Sequence, residues 1–107
     1  SNRGKTYVFV TNEKNGTNHE ISVVAGFNYK KNTKVKFIID KNTTLLFPID
    51  DRAWSESPKV DKTLVRKMKK GNKLIIEGTS SPGNVIIDHY SLSGFTKALA
   101  LIDKNCS

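Results

Sequence analysis

Asp88, His89 and Ser91 place a carboxylate, an imidazole and a hydroxyl within four consecutive positions, the residue types of a hydrolase. That chemistry needs the three in line, with the carboxylate orienting the imidazole and the imidazole taking the proton of the hydroxyl. On a strand, neighbouring side chains point to opposite faces, so His89 and Ser91 share one face and Asp88 takes the other. A hydrolase-like enzyme using His89 would therefore need a partner from elsewhere in the chain. No catalytic residue is assigned, and a structural role for Asp88 or Tyr90 at the following helix start is the better expectation. The second histidine, His19, is far away in sequence, and neither histidine has a second ligand at helical spacing. Asp50-Asp51 lacks the oxygen pattern of a calcium loop and reads as a pair of solvated turn carboxylates. Gly78-Thr79-Ser80-Ser81-Pro82-Gly83 follows a strand without opening a helix and lacks the lysine of a nucleotide-binding loop. No metal and no cofactor is expected.

Charge gives the sharper candidate. The chain of 107 residues has a formal net charge of +8, and the segment Lys59 to Lys73 holds seven cations against one anion, Asp61. Lys62, Arg66, Lys67, Lys69, Lys70 and Lys73 are the candidate anion-binding residues, suited to phosphate or carboxylate groups. The plain alternative is a solvated helix face, since lysine-rich surfaces commonly serve solubility alone. With one arginine, no interleaved aromatics and no reading motif, the segment excludes sequence-specific nucleic-acid binding. Trp54 is expected to plug a seam between helix and sheet, the alternative being an exposed ring that stacks on a sugar or base. The lone cysteine, Cys106, rules out an internal disulfide and a cysteine zinc cluster. Three glycosylation sequons begin at Asn15, Asn42 and Asn105, and with ten asparagines present they can arise by chance.

The elements that must position these residues follow from hydrophobic period. Strands are expected at Tyr7–Val10, Glu20–Ala25, Val35–Ile39 and Thr44–Phe47, the last stopped by Pro48, with Asn15-Gly16 turning the first pair as a hairpin. Lys30 to Lys36 reads as a basic loop entering the third strand. After Trp54 the period lengthens: Val60, Leu64 and Met68 share a helical face, Ser57 caps its start, Pro58 fits its first turn and Gly71 suits a left-handed stop. Lys73–Glu77 and Val85–Tyr90 are two more strands joined by a turn at Pro82-Gly83, and their adjacent apolar residues make both look central to a sheet. A second helix, capped by Ser93, carries Phe95, Leu99 and Ile102 on one face. Short strands with close turns, interrupted by one helix and closed by another, point to a mainly β, antiparallel two-layer sandwich with short helices at about 58–70 and 94–104. No window reaches the ~18 apolar residues of a membrane-spanning helix.

The order and spacing of Trp54, Gly71, Gly78, Gly83, Asp88, Tyr90-Ser91-Leu92 and Gly94-Phe95, followed by Cys106, resemble the C-terminal half of the invasion-associated locus B family, alphaproteobacterial proteins exported to the periplasm. The resemblance begins near Arg3 to Thr11. It implies that residues 1–107 form a single domain lacking the family's N-terminal section and the signal peptide of the precursor. It also implies an immunoglobulin-like β-sandwich with helical decoration, and a disulfide from Cys106 to a cysteine in that missing segment. Loss of N-terminal strands would leave an open sheet edge that invites strand addition or dimerisation. The family pattern carries a hydroxyl residue at the His89 position, and often an arginine at Pro82 and a threonine at Asn84; these departures weaken any transfer of function. The reading is a non-enzymatic periplasmic or outer-membrane-associated module that contacts anionic envelope components, or another protein, through the basic helix. A purely structural scaffold is the remaining alternative, and the family name implies a host-entry role for pathogenic members.

Overall fold

Val35, Phe37 and Ile39 are buried while Lys36 between them is exposed, and this period-two alternation defines an inner face that continues across the molecule. The computed structural model describes residues 7–12 and 19–106, apart from the side chains of Asn12, Ile102, Asn105 and Cys106. The Asn15-Gly16 turn with its sequon, the side chains of the sequon at Asn105 and the thiol of Cys106 lie outside the described residues.

The strands are β1 (Tyr7–Asn12), β2 (His19–Val24), β3 (Val35–Ile39), β4 (Asn42–Ile49), β5 (Arg52–Trp54), β6 (Lys73–Thr79) and β7 (Val85–Ser91), with helices α1 (Pro58–Lys70) and α2 (Phe95–Cys106). All pairings are antiparallel, in the order β1-β2-β5-β4-β3-β6-β7. The mainly β architecture with two short helices is thus present, but its strands join in one curled sheet where two facing sheets were expected. The cause is β4. Its residues Asn42–Leu46 pair with β3 and its residues Phe47–Ile49 pair with β5, so a single strand carries the ladder from one half to the other. The curl brings the two ends together: Val8 and Val10 of β1 line the same recess as Leu74 of β6 and Tyr90 of β7, with Met68 and Phe95 beside them.

Several local expectations change. Pro48 does not end its strand; β3 accompanies β4 only as far as Leu46, so beyond that point no ladder remains on that side for a missing N–H to interrupt. The three-residue β5, too short to show alternation, was not anticipated. β6 lies between β3 and β7 as expected of a central strand, whereas β7 is an edge, with Val85 62% and Ile87 51% exposed. Gly71 ends α1 in an extended conformation, φ −84° and ψ 167°, not a left-handed one. Space is the reason for glycine there, because a Cβ would lie 2.5 Å from Ile39 Cγ2 and 3.1 Å from Leu92 Cδ1. At α2 the cap position falls on Gly94 (φ 80°), whose carbonyl accepts from Ala98 N, while the Ser93 N–H donates to Ser91 Oγ.

The core gathers Ile21, Val23, Ala53, Leu46, Phe37, Leu74 and Ile76 from the sheet against Leu64, Val65 and Met68 of α1. Each such side chain taken from water stabilises the fold by roughly 1.5–3 kcal/mol before the entropy of ordering is subtracted. α1 rests on β2, and α2 rests on β1 and α1. Both helices therefore cover the inner face.

Candidate anion-binding surface

The cations of α1 are sorted by the same period that buries its apolar residues. Ser57 accepts from Val60 N at 3.3 Å and Pro58 occupies the first turn, which fixes where the helix begins and hence which side each later residue takes. Leu64, Val65 and Met68 face the sheet; Lys62, Arg66, Lys69 and Lys70 are exposed on the far side at intervals of three and four, with Lys67 half-buried at the margin. Lys73, exposed at the start of β6, lies instead on the outer face of the sheet opposite Ser91, apart from the helix stripe. The last-turn cations also face the negative end of the helix dipole.

Asp61, the one anion of this segment, is turned away from the stripe. It is 5% exposed, accepts from Ile21 N at 3.2 Å and from Ser55 Oγ at 2.5 Å, and so ties the first turn of α1 to β2. Sequence had counted it against the surface charge. The ion pairs among the described residues join His19 to Asp103 and Lys36 to Glu77, and include none of the six candidate cations. At the exit of the helix, Asp40 accepts from Asn72 N and Lys73 N at 3.1–3.3 Å, which pins the β3–β4 turn beside a shallow recess of about 220 Å³ bordered by Lys67 and Lys70.

The candidate enzymatic residues stay apart. His89 and Ser91 lie on the outer face opposite Ile75 and Lys73, whereas Asp88 lies opposite Ile76 on the inner face. The recess of about 390 Å³ beside His89 is lined by Asn72, Lys73, Leu74, Tyr90 and Ser91, without a carboxylate. At the helix approach the Ser93 N–H donates to Ser91 Oγ. Among the described residues no three His, Cys, Asp or Glu side chains converge as a metal site would require, and no helix is long and apolar enough to cross a membrane.

Three features were missed in sequence. His19 Nε2 and Asp103 Oδ1 approach to 2.7 Å, a contact across 84 positions for which no local signal exists. Trp54 does not plug the helix seam: it is half-buried on the outer face between Ser22 and Phe47, with the Arg52 guanidinium 6.0 Å from its ring. A cleft of about 640 Å³ opens between Asn28, Lys30, Lys31, Ile49, Asp50 and Ser81, where the basic loop before β3 meets the β4–β5 turn.

Residues 2–103 match the family described as Invasion associated locus B (IalB) protein. Comparison with curated proteins and with solved structures gives no match.

Proposed function

The chain belongs to the invasion associated locus B family, and on that premise we propose that it is a non-enzymatic, periplasmic module that binds anionic envelope components through the outward face of α1. One observation carries the reading: Asp61, the only acidic residue of α1, is buried under the helix, so Lys62, Arg66, Lys69 and Lys70 face solvent with no carboxylate from the helix between them. An array of this kind attracts phosphate or carboxylate groups fixed on a surface, at about 1 kcal/mol per cation and within a Debye length of ~8 Å at physiological salt.

Vesicles containing an anionic phospholipid, compared with purely zwitterionic ones over a salt series, test this. Binding should be confined to the anionic vesicles and weaken as salt rises. Changing Arg66, Lys67 and Lys70 together to Glu should lower it by ~100-fold or more, from about 1 kcal/mol per cation. Undiminished binding by that variant would remove the stripe from the account. A scaffold without ligand affinity would bind neither vesicle.

A further inference from the structure

We propose that two copies of this chain pack outer face to outer face across β4, β3, β6 and β7, and that the two-fold axis runs parallel to the strands between β3 and β6. The helices and the core cover only the inner side of this sheet. Its strands nevertheless carry adjacent apolar residues, Phe37-Ile38-Ile39, Leu74-Ile75-Ile76 and Val85-Ile86-Ile87, the composition of strands covered on both faces. On the uncovered side Leu45, Val85 and Ile87 are 47%, 62% and 51% exposed, with Ile38 and Ile75 half-buried between them. Apolar side chains grouped in this way mark a contact surface.

The order of residues across the strands identifies the occupant as a second copy. One outer row reads Leu45, Lys36, Glu77, Ile87 from β4 to β7; the next reads Thr43, Ile38, Ile75, His89. Each row is the same in chemical character read from either end, apart from a reversal of charge at the centre of the first. An isologous contact requires that property, since each residue must meet its mirror position on the other subunit. About the proposed axis Leu45 meets Ile87, Ile38 meets Ile75, and Lys36 of one copy meets Glu77 of the other, and the converse. Within one copy Lys36 Nζ and Glu77 Oε2 are already 3.4 Å apart, so two copies would bring four alternating charges together inside an apolar frame. Aligned packing of two antiparallel sheets ~10 Å apart is an established arrangement. The candidate cations of α1 lie on the far side of each subunit, so the net charge of the chain does not oppose the contact directly.

Sedimentation velocity of the full chain over a concentration series reads the result. The expected species has twice the 11.9 kDa mass of the chain. Ile87→Glu, at an exposed position, should shift it to monomer. Lys36→Glu and Glu77→Lys should each be monomeric alone, because each sets like charges across the axis, and should form a dimer when mixed, because every facing pair is then opposite in sign. Circular dichroism establishes that each variant is folded. A wild-type chain monomeric at all concentrations overturns the proposal, as does a dimer indifferent to Ile87→Glu. A mixture of folded charge variants that stays monomeric overturns the placement of the axis.

Discussion

A carboxylate counted in sequence as surface charge proves to be a fastener. Asp61 sits one position from Lys62 in a run of cations, and nothing local distinguishes it; its role is set by Ile21, 40 positions away, and by Ser55, whose hydrogen bonds replace the water it gives up. Replacing it with Ala leaves the Ile21 N–H buried without its acceptor, a loss of about 1–3 kcal/mol. Urea unfolding of Asp61→Ala should show that loss with an unchanged slope, and stability equal to wild type would contradict the role. Residues whose partners lie within one turn were readable: Ser57 and Pro58 begin α1 as their chemistry requires, and Gly83 turns the β6–β7 connection with φ 101°. Gly71 was placed correctly but for the wrong reason, because the closeness of Ile39 is a tertiary fact.

Among the elements, the long ones were legible and the short or peripheral ones were not. α1 spans Pro58–Lys70 as its period required, whereas β5 was too brief to register and Pro48 hid the end of β4. β7 looked central because its apolar residues are consecutive; in the sheet it is an edge, and its outer side chains are left uncovered. α2 is seated by Leu99, 1% exposed, and by the His19–Asp103 contact at 2.7 Å. The contact is partly exposed and weak in isolation, with a coupling of about 0.5–1 kcal/mol, yet it joins the last turns of the helix to the start of β2. His19→Ala should therefore speed amide exchange in α2 while leaving α1 unchanged. Equal acceleration in both helices would mean that the contact supports the whole fold and not this element alone.

At the scale of the whole molecule, the candidate site was readable as a helix face but not as an unopposed one, since that required knowing where Asp61 points. The topology was less accessible still, because the number of sheets depends on a strand that serves two neighbours. That strand also orders events in time. β4 meets β3 across the turn at Asp40-Lys41 and β5 across Asp50-Asp51, whereas β2 must find β5 from residues 22 and 54, and β3 must find β6 from residues 36 and 77. Local hairpins close before distant pairings because less chain entropy is lost in forming them. Refolding is thus expected to start in the meander of residues 35–54, with the flanking strands arriving later on either side, and pulse-labelled hydrogen exchange should find its amides protected first. Earlier protection of β6 and β7 would assign the nucleus to the opposite end of the sheet.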